Sequence, residues 1–179
     1  LRSNVESDHL RELFTKILRA NLENNPTYLG SYSAWEPNAL DGQDALYANT
    51  EAHDASGRFI TYWNRDASGK INRQALVEYE SQAKHPNGVR KGGWYLGPKE
   101  TSKESVLDPF PYIVQGKTEW LTTISVPVKD NNKFLGVSGT DLRLTFLQKM
   151  AEDVDAKTYS GKGDVLIVSY DGLIVANSA

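Results

Sequence analysis

The segment 57–66, Gly-Arg-Phe-Ile-Thr-Tyr-Trp-Asn-Arg-Asp, most constrains what this chain can fold into. It follows the turn residues Asp54-Ala55-Ser56 and runs into a second turn, Asp66-Ala67-Ser68-Gly69. Between them lie β-branched and aromatic residues, so the segment reads as a strand bounded by turns. Alternation puts Phe59, Thr61, Trp63 and Arg65 on one face and Arg58, Ile60, Tyr62 and Asn64 on the other. Each face therefore pairs a large aromatic residue with a polar group able to orient something. Similar aromatic pairs stand beside turns at Trp94-Tyr95 and Phe110-Pro111-Tyr112. Three such pairs suit a ligand cavity better than a plain β core.

The rest of the chain supplies the frame. Residues 3–24 predict a helix: Ser3 and Glu6 form a capping box, and Leu10, Leu13, Phe14, Ile17, Leu18 and Leu22 recur at helical spacing. Asn25-Pro26 ends it. Period-two patterning then predicts a strand over 28–35, a weaker one over 45–51, and a short helix over 72–80. Residues 81–93 read as a loop leading into a strand at 94–96. Two prolines bar residues 108–112 from a central strand. Strands over 118–129 and 133–141 are joined by Asp130-Asn131-Asn132 as a hairpin. A helix over 142–154 follows, with Asp141 at its N-cap position. Residues 163–178 show a second hairpin around Tyr170-Asp171-Gly172. The sum is an α+β fold, a central antiparallel sheet covered by helices. Its expected division is a sensor module over 1–155 and the truncated start of another module over 156–179.

Most chemistries find no support. A net charge of −3 without a basic run argues against a nucleic-acid partner. The absence of cysteine excludes disulfide, zinc-thiolate and cysteine-nucleophile readings. No apolar run approaches the ~20 residues that span a bilayer, and a start at Leu1 suggests a segment excised from a longer chain. Asn64-x-Asp66-x-Ser68-Gly69 resembles the opening of a calcium loop, but Ala75 stands at the twelfth position where a glutamate is required, so a turn is the expectation. His9, His53 and His85 are scattered and read as surface residues. No phosphate loop, nucleophile elbow or cofactor motif appears, and nothing singles out a carboxylate pair for hydrolysis. Binding has more to recommend it. Aromatic walls attract an ammonium group, and a carboxylate such as Asp108 or Asp141 would fix its position. The competing roles are a turn residue ahead of Pro109 for Asp108 and a helix cap for Asp141.

The run Trp35-Glu36-Pro37-Asn38-Ala39-Leu40-Asp41-Gly42, the 57–66 segment, Gly93-Trp94-Tyr95, the Asp-Pro-Phe-Pro-Tyr of 108–112, and Phe134-Leu135-Gly136-Val137-x-Gly139-x-Asp141-Leu142 together resemble the double Cache (dCache) sensor domains of bacterial chemoreceptors. The resemblance covers about residues 1–155. It implies a PAS-like distal module with a long N-terminal helix, outside the cytoplasm, held by transmembrane helices that flank it in the full receptor. It also implies small-molecule binding without turnover. Amino-acid-binding members carry an Arg two residues before Trp-Tyr and a Tyr-x-Asp further on. Here Gly92 holds the first place, Arg90 lies two residues too early, and Tyr112 is followed by Ile113-Val114. What matches is Trp94, Tyr95, Tyr112 and Asp141, which favours an amine over an amino acid.

The expected ligand set is Tyr62 or Trp63, Trp94, Tyr95 and Tyr112, with Asp108 and Asp141 on the ammonium. Arg65 is the group that a carboxylate ligand would use instead. The alternatives are an amino-acid or carboxylate sensor attached to a histidine kinase or diguanylate cyclase, and a periplasmic hydrolase. Arg11, Lys16 and Glu23 read as an exposed charged helix face, which predicts a monomer or weak dimer in isolation.

Overall fold

The computed structural model describes residues 7–179. Helix α1 (Ser7–Asn24) leads into β1 (Tyr28–Trp35), a short α2 (Asp44–Tyr47), β2 (Ile60–Arg65) and β3 (Ile71–Ala75). Then come α3 (Gly93–Thr101), β4 (Ser105–Val106), β5 (Phe110–Val114), β6 (Lys117–Asp130) and β7 (Lys133–Arg143). Helix α4 (Leu144–Tyr159) and the strands β8 (Leu166–Val168) and β9 (Ile174–Asn177) complete the chain. The expected Ser3–Glu6 capping box lies outside the described residues.

Strands run in the order β3-β2-β1-β7-β6-β4, all neighbours antiparallel, with β5 also paired to β6. β1 sits centrally and is buried along nearly its whole length, because both of its faces are covered. On one face Trp35, Phe59 and Leu135 pack against Leu10 and Leu18 of α1. On the other, Tyr32, Ala34, Ile60, Tyr62, Leu121 and Val137 meet Trp94, Phe110 and Tyr112. The sheet curls so far that its edges are bridged: the Gln74 amide of β3 donates to the Ile113 carbonyl of β5 at 3.0 Å and accepts from the Gln115 N–H at 3.0 Å. That curl encloses the second face.

Four expectations are corrected. Residues 94–96 belong to helix α3, since three consecutive apolar residues carry no period and fit a buried helix as well as a strand. The 45–51 strand is instead α2 and a turn, folded around Arg11: Asp44 accepts from the Asn38 N–H at 2.7 Å and from the Arg11 guanidinium at 2.6 Å. Where a helix is expected over 72–80, residues 71–75 form strand β3, recruited by the free edge of β2, and 76–80 run on as a loop and turn. Arg11, read as exposed, is 5% exposed. Its side chain donates to Asp41 at 2.6 and 3.0 Å, to Asp44, and to the Gly57 carbonyl at 2.8 Å, and it lies 4.0 Å over the Tyr47 ring.

The prolines act as expected. Pro109 and Pro111 flank and enter β5, which pairs on one side only, with β6. Strands β8 and β9 form a separate two-stranded sheet. Among the described residues, no helix is long and apolar enough to cross a membrane.

Candidate functional site

Two glycines shape the floor of the enclosed face. Gly30 of β1 lies in register between Asn64 of β2 and Asp141 of β7, and Asp141 pairs in turn with Thr123 of β6. One row away, Tyr32 lies between Tyr62 and Gly139. A Cβ on Gly30 would stand 2.2 Å from Cε2 of Tyr62, and one on Gly139 would stand 2.3 Å from Cζ of Tyr32. Both tyrosine rings therefore lie down across the sheet, over positions that only glycine leaves open.

Above them is a cavity of about 10 Å³, room for one water-sized sphere, lined by Tyr32, Leu76, Trp94, Phe110, Tyr112, Leu121 and Asp141. Its rings meet edge to face, Tyr32 with Trp94 at 5.2 Å and Phe110 with Tyr112 at 6.2 Å, and Tyr62 packs behind Tyr112 at 5.9 Å. Tyr32 donates to Thr123 Oγ1 at 2.8 Å, and Thr123 passes its own proton to the Thr140 carbonyl at 3.1 Å. The Tyr112 hydroxyl is tied to the Val77 backbone, accepting from its N–H at 2.9 Å and donating to its carbonyl at 3.2 Å.

Asp141 is the one ionisable acid in this wall. It is 5% exposed and faces no cationic side chain among the described lining residues. Desolvation pushes its pKa up to about 6, against the opposing pull of the Tyr62 and Thr123 hydroxyls. The Tyr62 hydroxyl is near enough to act on the carboxyl, yet forms no hydrogen bond of good geometry. The Trp94 indole N–H is likewise buried without an acceptor. A carboxyl without a counter-charge and aromatic faces suit a cation, while the indole N–H is a donor left for an acceptor atom.

The sequence-predicted residues divide between this cavity and other roles. Tyr62, Trp94, Tyr112 and Asp141 come together. Asp141 lies within β7 instead of capping α4, whose N-cap position is Arg143. Trp63 faces the opposite side, where its indole donates to the Thr15 carbonyl of α1 at 3.0 Å. Arg65 donates to the Leu22 and Pro26 carbonyls and so closes the end of α1. Tyr95, one residue past Trp94, turns away: its hydroxyl bonds Glu36, and Arg58 donates to it while also holding Glu80 at 2.7 Å. Asp108 lies outside the Asp141 cavity, beside the β8–β9 hairpin. Asp66 accepts from the Ser68 and Lys70 N–H groups at 2.8 and 3.0 Å, which makes the calcium-like spacing a turn.

His85 is not a surface residue. It is 8% exposed and stacks 5.6 Å from the Phe110 ring. Tyr32, Leu76 and Leu121 are wall residues that the sequence pattern does not single out. Tyr32 carries the one available signal, an aromatic flanked by small residues in Gly30-Ser31-Tyr32-Ser33-Ala34.

A curled antiparallel sheet with a long helix on its outer face and a lone carboxyl under aromatic rings on its inner face defines a PAS-like sensor module of the Cache type. The chain belongs to the family described as methyl-accepting chemotaxis protein-like, first PDC sensor domain, whose model matches residues 14–149. It is 36% identical over 178 residues to the methyl-accepting chemotaxis protein TlpQ of Pseudomonas aeruginosa, a match covering 97% of this chain and 25% of TlpQ. Among solved structures, the extracellular domain of mmHK1S-Z3, assigned as a histidine kinase, has a TM-score of 0.78 at 29% identity, covering 99% of this chain and 58% of that one. Methyl-accepting chemotaxis protein X has a TM-score of 0.66 at 28% identity, covering 80% and 50%. The chain thus spans a quarter of the curated relative and a little over half of the solved sensor domain from mmHK1S-Z3.

Proposed function

We propose that this chain is the ligand-binding module of an extracytoplasmic chemoreceptor and that its ligand is a small organic amine. The amine's ammonium group would sit against Asp141, among Tyr32, Tyr62, Trp94 and Tyr112. The observation that carries this reading is Asp141 itself, an acid buried in an aromatic cavity with no cationic partner among the described residues. The basic groups that an α-carboxylate would need are engaged elsewhere. Arg65 closes α1, and Arg90 pairs with Glu100 at 2.9 Å. Binding is the whole activity in this reading, with the ligand released unchanged.

The closed cavity must widen to admit such a ligand. Tyr112 is also part of the wall of an outer depression of about 460 Å³, lined by Val77, Glu78, His85, Lys91 and Pro111 among others. Tyr112 and its neighbour Phe110 sit on β5, a strand paired on one side only, so entry requires displacing an edge strand of the sheet. A thermal-shift screen of amines beside amino acids and carboxylates tests the reading. An amine at about 100 times its Kd adds ~2.7 kcal/mol to the folded state, a rise of several degrees. Shifts from carboxylates or neutral amino acids alone would remove it.

The similarity to mmHK1S-Z3 favours one variation, the same module feeding a histidine kinase. In either case the module works outside the cytoplasm on an inner-membrane protein, and the full-length sequence identifies the output domain.

A further inference from the structure

The enclosed face holds a polar residue that the amine reading does not use. Asn64 is fully buried, and both its amide nitrogen and its amide oxygen lack a hydrogen-bond partner. Native folds keep few such groups, because each costs free energy on the scale of a lost hydrogen bond. Asn64 and Asp141 are the two cross-strand partners of Gly30, and both lie on its enclosed face. The Tyr62 hydroxyl lies over that glycine: a Cβ there would be 2.7 Å from the hydroxyl oxygen. This oxygen, too, is buried without a partner. Three polar groups thus stand in one row across three strands, donor and acceptor capacities matched, and none bonded to the next.

We infer that Asn64 is a positioning residue for the Asp141 site: when Asp141 is ionised, Tyr62 donates its O–H to the carboxylate and the Asn64 amide donates to the Tyr62 oxygen. The chemistry runs in one direction only. A carboxylate accepts, a phenol both donates and accepts, and an amide nitrogen at the far end supplies the remaining donor. Each bond polarises the next, so Asn64 strengthens the Tyr62 donor without touching Asp141. Other groups facing Asp141 leave this path open. Tyr32 from β1 is committed to Thr123 and Tyr112 from β5 to Val77, while the Thr123 hydroxyl from β6 lies near the carboxyl but donates to the Thr140 carbonyl. No Lys, Arg, His or further acid lines the cavity among the described residues. For ligand choice, Tyr62 would occupy one side of the carboxylate and leave the other to the ammonium.

The inference deepens the amine reading, yet its test needs no ligand: the titration of the Asp141 carboxyl carbon is followed by NMR in the ligand-free chain. Tyr62→Phe removes a donor to the ionised form and should raise the midpoint by about one pH unit. Asn64→Leu, close in shape, should raise it by at least about 0.3 unit. In the double variant, Asn64→Leu should add nothing to Tyr62→Phe, since its effect passes through the hydroxyl. An unchanged midpoint in Asn64→Leu, or additive shifts, would overturn the proposal. A merely structural Asn64 changes stability without producing that non-additivity. Should Asn64→Leu not fold, the wild-type Asn64 side-chain amide protons serve: they should move with the same midpoint as Asp141, and flat shifts overturn the relay. If no amine binds while the relay is found, only the ligand assignment fails.

Discussion

Asp41 and Asp141 are both nearly inaccessible carboxylates, and their surroundings treat them in opposite ways. Burial alone would raise the Asp41 pKa, but two hydrogen bonds from Arg11 and the Gln43 N–H at 3.0 Å hold it below the ordinary carboxylate value. Burial also dominates at Asp141, and there only hydroxyls oppose it, so its pKa climbs to about 6. Asp41 is a fastener between α1 and the 36–44 loop. Asp141 is a vacancy of charge. The same side chain is structural where the fold supplies the counter-charge, and where the fold supplies none it is the group on which the proposed amine reading rests.

The largest expected effect comes from breaking the paired site. Arg11→Met should destabilise the chain by about 3–5 kcal/mol, because it strands Asp41 and Asp44 as uncompensated buried charges. That corresponds to a fall of roughly 10 °C in the thermal midpoint at pH 7. A depressed folded-state pKa means that the Asp41 contribution is present above the unfolded value and is lost as pH falls through the folded one. The gap between wild type and variant should therefore narrow below about pH 4. A loss under ~1 kcal/mol in a calorimetric scan would show that the cluster is no fastener.

The same surgery at the unpaired site should act with the opposite sign. Asp141→Asn keeps the shape and removes a charge that the ligand-free fold must hold dry. Because the folded pKa is raised, ionisation costs the wild type stability as pH climbs from about 4 through about 6. The variant should then be about 2 kcal/mol more stable than wild type at pH 7–8, a gain of several degrees, and no more stable at pH 4. Amine affinity should fall at least ~10-fold in the same variant, since a hydrogen bond to a charged group is worth ~1.5–3 kcal/mol. A variant less stable than wild type at pH 8 would mean that Asp141 already has a partner.

Much of the frame was legible because strands and amphipathic helices advertise their period. β1, the β6–β7 hairpin and α1 fall where alternation and helical spacing put them. The errors fall where period is absent or where a distant group decides. Trp94-Tyr95-Leu96 has no period. Residues 43–47 fold around an arginine more than 30 positions earlier in the chain, and nothing local predicts that. Within the site, alternation correctly separates Tyr62 from Trp63, but cannot say which face encloses the cavity. That choice belongs to α1, which covers the Trp63 side. The assignment of Tyr95 fails for a related reason. On a helix, neighbours point about 100° apart, so Trp94 and Tyr95 cannot share a cavity as a pair.

Proton competition gives a smaller effect that sharpens the contrast. If an ammonium pairs with ionised Asp141, protonation below about pH 6 must be undone before the ligand binds. Amine affinity by calorimetry should be about 10-fold weaker at pH 5 than at pH 7.5, while Asp41, already ionised at both, contributes nothing to the difference. A flat profile would place the ammonium elsewhere.

The smallest effect is expected at a third buried carboxylate, Asp155, whose partner is neither cation nor ligand. It is 6% exposed and accepts from the Gly163 N–H at 2.8 Å, closing the end of α4. Beyond that bond lies the β8–β9 hairpin, whose strands pair only with each other. Its attachments to the rest of the chain include two hydrogen bonds between Gln148 and the Asn177 backbone. It also roofs an incompletely filled apolar cavity of about 280 Å³, lined in part by Ile124, Leu142, Leu147 and Ile167. Voids forfeit dispersion contacts, so the apolar surface of the hairpin stabilises less than its area suggests. Removing residues 165–179 keeps Asp155 and Gly163 together and should shift the thermal midpoint by no more than a few degrees, about 1 kcal/mol or less. The titrations of Asp41 and Asp141 should be unmoved. A drop near 10 °C would make the hairpin part of the sensor module's own cooperative unit, and the proposed division near residue 155 would have to move to the end of β9.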